Sequence, residues 1–205
     1  MPESSLVSPR PARTGSAAPA GALHAGWRDG LSILNLRGDP ADAAFVTGAA
    51  SALGLALPLQ PCTSVASASL RLVWAGPDDW FVIGAPGQTE ALASALRSAL
   101  ASTHHAVTDV GSGYTVLRLA GPAVRDVLAQ GCPLDLHPRA FGPDAAAGSV
   151  FFKASVWLWR IGEAPDGFEM LVRRSFTGYV RLLLERCSAE CGLAASSFTG
   201  MGGEA

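Results

Sequence analysis

Residues 31–40, LSILNLRGDP, and residues 114–122, YTVLRLAGP, decide how the chain folds. Each is a strand-like apolar run closed by glycine and proline, and each leads into a helical pattern. After Gly38-Asp39-Pro40, the residues Phe45, Ala49 and Leu53 recur at the spacing of one helix face. After Gly121-Pro122, where proline suits the first turn of a helix, Val124, Val127 and Leu128 do the same.

Working outward, Leu70, Leu72 and Trp74 alternate along a strand, Gly76-Pro77-Asp78 turns the chain, and residues 80–83 return it as a hairpin. Leu92, Leu96 and Leu100 mark a helix over 89–101, and a strand over 106–110 completes this half. In the second half, strands are predicted over 149–153, 156–161 and 168–172. Ser175 is the expected N-cap of a last helix, and Gly192 its expected stop. Both halves thus read strand, helix, hairpin, helix. That order gives an α+β fold of two similar split βαβ halves, with antiparallel sheets covered by helices. The boundaries read as a disordered leader over 1–26, halves over 27–111 and 112–193, and a flexible tail over 194–205.

Charged residues make up 16% of the 205 residues and hydrophobic ones 49%, which leaves more surface apolar than in an ordinary soluble domain. A partner-covered surface and plain alanine richness account for this equally well. The net charge of -2 and the scattered arginines give no basic footprint for nucleic acid. Asp42, Thr47, Ser51 and Pro58 interrupt the most apolar stretch, so no membrane span is expected, and the first residues carry no signal-peptide core. A cytoplasmic protein with reduced cysteines is expected.

The residues that carry chemistry elsewhere do not form a known constellation here. Asp109-Val110-Gly111-Ser112-Gly113 lacks the third glycine and the following helix of a dinucleotide site, and reads as a tight turn. His104, His105, Asp109 and Ser112 have the residue types of a hydrolytic triad without its defining geometry. Cys187 and Cys191 lie one turn apart, but they continue the stripe Phe176, Val180, Leu183, Leu184, so they read as packed thiols rather than metal ligands. Catalytic, cofactor-binding and metal-binding residues are therefore expected to be absent from this chain. Asp78-Asp79 at the hairpin mouth could hold a cationic amine or a pterin ring, and turns also favour aspartate on their own account. The strand over 156–161 is apolar on both sides, with Trp157 and Trp159 on one face, so it is either central in the core or covered by a partner. Arg173 and Arg174 precede the last helix, where one guanidinium faces outward. Trp157, Trp159, Arg173 and Arg174 are the interface candidates.

The run over 109–141, DVGSGYTVLRLAGPAVRDVLAQGCPLDLHPRAF, resembles the gamma subunit of heterotetrameric sarcosine oxidase. Leu158-Trp159-Arg160, Leu171-Val172-Arg173-Arg174-Ser175-Phe176 and Gly76-Pro77-Asp78-Asp79-Trp80 fit the same family, and the resemblance covers about residues 27–192. It implies a fold like the folate-binding aminomethyltransferases and a small, non-catalytic subunit. The enzyme it implies demethylates sarcosine oxidatively to glycine and passes the one-carbon unit to tetrahydrofolate. FAD, FMN, NAD and tetrahydrofolate are then expected on the alpha and beta subunits, and the alpha, beta and delta subunits are the expected partners. Aminomethyltransferases carry a glycine-rich hairpin before their acidic pair, whereas Trp74-Ala75-Gly76-Pro77 stands here, so no catalytic role passes to Asp78 or Asp79. Two other functions fit the same scaffold: a free-standing folate-binding or one-carbon transfer protein, and a subunit of a related N-methyl amine dehydrogenase complex.

Overall fold

In a computed structural model, residues 23–162 and 167–191 are described. Two five-stranded antiparallel sheets pack face to face, and helices cover the outer face of each. The first sheet contains β2 (Ser32–Gly38), β3 (Ser64–Ala66), β4 (Leu70–Gly76), β5 (Asp79–Gly84) and β6 (His105–Asp109). Helices α1 (Ala43–Leu53) and α2 (Thr89–Ala99) lie over it. The second sheet contains β1 (His24–Arg28), β7 (Tyr114–Ala120), β8 (Ala146–Phe151), β9 (Ala154–Ile161) and β10 (Gly167–Arg173), with α3 (Val124–Ala129) and α4 (Thr177–Glu190) over it.

The strand orders are β6-β2-β5-β4-β3 and β1-β7-β10-β9-β8, so the two halves superimpose strand for strand in topology. One exchange links them. β6, which closes the first half, pairs with β2, while β1 pairs with β7 of the second half, from His24 opposite Ala120 to Arg28 opposite Val116. The expected boundary between residues 26 and 27 is therefore wrong: it cuts through β1, and β1 belongs to the second sheet. Leu23 and Ala25 are buried in the second helical core and Trp27 packs against it, which holds this strand in place. Residues 1–22 of the expected leader and the expected tail lie outside the described residues.

Period-two alternation assigns each strand residue to a layer. Leu34 and Leu36 on β2, Leu72 on β4, and Trp80 and Val82 on β5 face α1 and α2; Ile33, Val73, Phe81 and Ile83 face the other sheet. On the second sheet Leu117, Leu119, Phe168, Met170, Val156 and Leu158 face α3 and α4, while Tyr114, Val116, Leu171 and Trp159 point between the sheets. The doubly apolar character of β9 follows directly. One face meets helices and the other meets a sheet.

Local chemistry sets the corners. Gly38, the last residue of β2, must lack a Cβ because one there would run into the ring of the fully buried Phe45. Its counterpart Gly121, after β7, has φ 124, which glycine alone tolerates without strain. Asp42 caps α1 by accepting from the Ala44 N–H at 2.8 Å, and Gly54 closes that helix in the left-handed region. Ser175, the expected N-cap, instead lies inside a 3-10 turn, Arg174–Phe176, and α4 starts at Thr177 without a side-chain cap. The Thr177 hydroxyl donates to the Arg174 carbonyl at 2.9 Å, so the chain tightens for one turn before the helix. Gly192 lies outside the described residues.

Candidate functional site

The acidic hairpin is already satisfied from within. β4 and β5 are joined at Gly76-Pro77-Asp78 with a register shift between Trp74 and Gly76, and the Gly38 N–H donates to the Asp78 carbonyl at 3.1 Å. Arg37 lies opposite Asp79 in register and reaches the Asp78 carboxylate at 2.7 Å. The Asn35 amide donates to Asp79. Trp80, next along the strand, is fully buried and donates its indole N–H to the Pro58 carbonyl at 2.9 Å. A cleft of about 560 Å³ opens beside the hairpin and is lined by Arg37, Asp39, Asp78, His104 and His105. Of its carboxylates, Asp78 pairs with Arg37 of the same chain and Asp39 accepts the Ala41 N–H at 2.8 Å, so each already has a partner within the chain.

Nor are His104, His105, Asp109 and Ser112 brought together. His104 is exposed, and His105 at the start of β6 holds the Thr103 carbonyl through Nδ1 at 3.0 Å, so that nitrogen carries the proton. Asp109 ends the same strand about 13 Å away, and its carboxylate accepts the Gly111 N–H at 2.9 Å. Gly111, Ser112 and Gly113 form the turn from β6 to β7, closed by the Gly113 N–H on the Val110 carbonyl. A strand follows it, so no helix N-terminus faces a phosphate there and a dinucleotide does not fit.

The interface candidates divide. Trp159 is fully buried between the sheets, which removes it from any partner surface. Trp157 is half-buried and stands edge-on to Phe81, with ring centroids 4.9 Å apart. Arg173 is exposed and lies over the Tyr114 ring at 5.3 Å. Arg174 is exposed as well, donating to the Gly111 carbonyl at 3.4 Å and lying 3.6 Å from the Asp29 carboxylate. Cys187 is buried in the helical core and Cys191 is half-buried, with the Gln130 amide donating to its sulfur. Burial first, then nearby acidic groups, pushes both thiols above their ordinary value, which disfavours the thiolate that a metal requires.

Sequence reasoning missed one cluster. The layer between the sheets is apolar along most of its length, but at one end Arg28, Arg71, Arg118 and Glu169 border a cavity of about 210 Å³. Glu169 is buried on β10, directly opposite Arg118 on β7 and Trp159 on β9. One of its oxygens accepts from Arg28 at 2.7 Å and the other from the Trp159 indole at 3.0 Å. Arg71 reaches in from β4 of the other sheet, bonded to the Ser64 hydroxyl at 3.0 Å and lying over the Trp159 ring. Burial lowers its basicity from the usual guanidinium range, partly offset by Glu169. The available signal was a glutamate inside the otherwise apolar 168–172 strand.

Two sheets, each helix-covered on one face, define an α+β fold of the aminomethyltransferase kind. The aminomethyltransferase of the glycine cleavage system from Bartonella henselae shares it with a TM-score of 0.59 at 18% identity, over 87% of this chain and 47% of that one. Residues 37–190 match the sarcosine oxidase, gamma subunit family, and the chain belongs to that family. Sarcosine oxidase subunit gamma of Corynebacterium sp. strain P-1 is 39% identical over 131 residues, and that of an Arthrobacter species 40% over 130. The match covers 62% of this chain and 62% of each of those relatives. A chain of the heterotetrameric sarcosine oxidase from Corynebacterium sp. U-96, solved with pyrrole 2-carboxylate, aligns with a TM-score of 0.78 at 30% identity, over 87% of this chain and 89% of that one.

Proposed function

We propose that this chain is a small, non-catalytic subunit of a heterotetrameric sarcosine oxidase, assembled with alpha, beta and delta subunits in the cytoplasm. The observation that carries the reading is the likeness to a chain of such a heterotetramer over 87% of this chain. The reaction is the oxidative demethylation of sarcosine to glycine, with the one-carbon unit passed to tetrahydrofolate. FAD, FMN, NAD and tetrahydrofolate belong to the partner subunits in this reading. The pairing of Asp78 with Arg37 and of Asp79 with Asn35 supports the absence of a folate pocket on this chain. Among the described residues no helix is long and apolar enough to cross a membrane.

The test is co-purification. The tagged chain, recovered from host cells grown on sarcosine, is expected to bring down larger flavoprotein chains in fixed stoichiometry, with the flavin spectrum on those chains. Recovery of the chain alone, with tetrahydrofolate bound at micromolar affinity, would instead support the free-standing one-carbon protein. Flavoprotein partners that oxidise another N-methyl amine but not sarcosine would support the related dehydrogenase.

A further inference from the structure

We propose that the cavity at the open end of the intersheet layer is a binding site for a small monocarboxylate, held between Arg71 and Arg118 with its apolar part against Leu70 and Ile83. Three guanidiniums face it and one carboxylate does, so it carries an excess of positive charge. Each oxygen of that carboxylate already holds one donor, Arg28 on one and the Trp159 indole on the other. Glu169 therefore offsets the charge of Arg71 only through space, with no hydrogen bond to Arg71 or Arg118 among the described residues. Among the described residues no carboxylate is hydrogen-bonded to Arg71, which gives one N–H to Ser64 and is partly withdrawn from water. A guanidinium in that position is costly to desolvate unless an anion completes its fork.

Shape and lining narrow the ligand class. The volume, about 210 Å³, is that of a small organic acid rather than a nucleotide. Part of the wall is apolar, so an inorganic oxyanion would leave that surface unmatched. The planar fork of arginine fits a planar carboxylate in bidentate fashion. Glu169 behind the fork opposes a dianion more strongly than a monoanion. This inference stands on the cavity alone and does not depend on which enzyme the chain serves.

The test uses the full-length ¹⁵N-labelled chain and butyrate as probe, with butyramide and inorganic phosphate as contrasts. The reporter is the Trp159 indole N–H, assigned by the loss of its signal in Trp159→Phe. Butyrate should shift that signal saturably, butyramide should not, and phosphate should bind at least tenfold more weakly. Arg118→Gln, at an exposed position, should weaken butyrate at least tenfold while leaving the thermal midpoint unchanged; Arg71→Gln should do so too if it folds. No saturable shift at tens of millimolar butyrate, equal binding of butyramide or phosphate, or unchanged affinity in Arg118→Gln would overturn the proposal. Titration of the co-purified assembly separates two sources of the same chemistry. Retained butyrate binding supports a free acid, whereas binding by the free chain alone would overturn it in favour of a partner's carboxylate side chain.

Discussion

The Trp159 indole N–H donates to Glu169 across a β9–β10 register pair, and the same carboxylate takes Arg28 from the edge strand β1. One buried side chain thus ties three strands of the second sheet together. Removing it leaves an indole donor without an acceptor and a guanidinium without its counter-ion. Glu169→Ala should cost about 2–3 kcal/mol in urea unfolding, the usual range for a buried hydrogen-bonded acid with one half-exposed partner. In a double-mutant cycle with Trp159→Phe, the pair should show a coupling of about 1 kcal/mol. Additive losses would mean that the bond contributes nothing net.

Gly38 is the point where β2 must pass the ring of Phe45, which is itself stacked near Trp80 with centroids 5.8 Å apart. Gly38→Ala forces that packed pair to move and should destabilise by about 1–3 kcal/mol. Gly54→Ala is the control, because there the added methyl meets nothing within 4 Å and the strain comes from φ 63 alone. It should cost about 1 kcal/mol. Chemical denaturation of both variants checks the order, and a Gly38→Ala as mild as Gly54→Ala would show that Phe45 has room to yield.

Much of this architecture was legible because its signals are local. The alternation in 31–37 and 114–119, the Gly-Pro stops and the stripe of α2 each lie within a few residues of one another, so the repeat and the α+β class follow from them. β1 escaped because Leu23-His24-Ala25-Gly26-Trp27 holds few of the β-branched residues that mark a strand and its pairing partner, β7, lies far along the chain. Ser175 failed as a cap because the chain makes a 3-10 turn first, a choice that the contacts of Arg174 with Gly111 and Gly113 impose from another turn. The arginine cavity was invisible for the same reason as β1. Arg28, Arg71, Arg118 and Glu169 share nothing in sequence and meet only through the register of two sheets.

Three of the four thiols should separate by reactivity. Cys62 is exposed, whereas Cys187 and Cys191 are shielded and hold their protons more tightly than an ordinary thiol. With an aromatic disulfide reagent near neutral pH, Cys62 should react fast and Cys187 only on unfolding. The pH dependence has a definite sign. A thiol pKa raised by folding stabilises the native state below the unfolded value of 9.0, and that contribution is lost as pH rises through the folded value. The chain should therefore lose stability above pH 9.0, and Cys187→Ala should flatten that loss while lowering stability at neutral pH by about 1 kcal/mol or more. An alkaline limb of unchanged slope in that variant would assign it to other groups.

Arg173 and Arg174 stand at the corner where β10 gives way to the 3-10 turn, and their surroundings differ. Arg174 has internal contacts, an ion pair at 3.6 Å with Asp29 and a weak bond to the Gly111 carbonyl, but its side chain is 43% exposed and the pair is worth little in water. Arg173 lies over Tyr114 with its charge unopposed by an ion pair among the described residues, and Trp157 stands beside the same tyrosine, rings 6.3 Å apart. Arginine stacked on an aromatic at an exposed edge is a common composition for a contact with another protein. If a partner carboxylate meets this corner, Arg173→Glu should lower the yield of co-expressed complex in gel filtration several-fold, and Arg173→Glu with Arg174→Glu more so. Circular dichroism and the thermal midpoint of the free chain should change little, because neither guanidinium is buried. Arg174→Glu alone should lower the yield less than Arg173→Glu, because Asp29 of the same chain already stands beside Arg174. Assembly of the double variant at wild-type yield would take this corner off the interface.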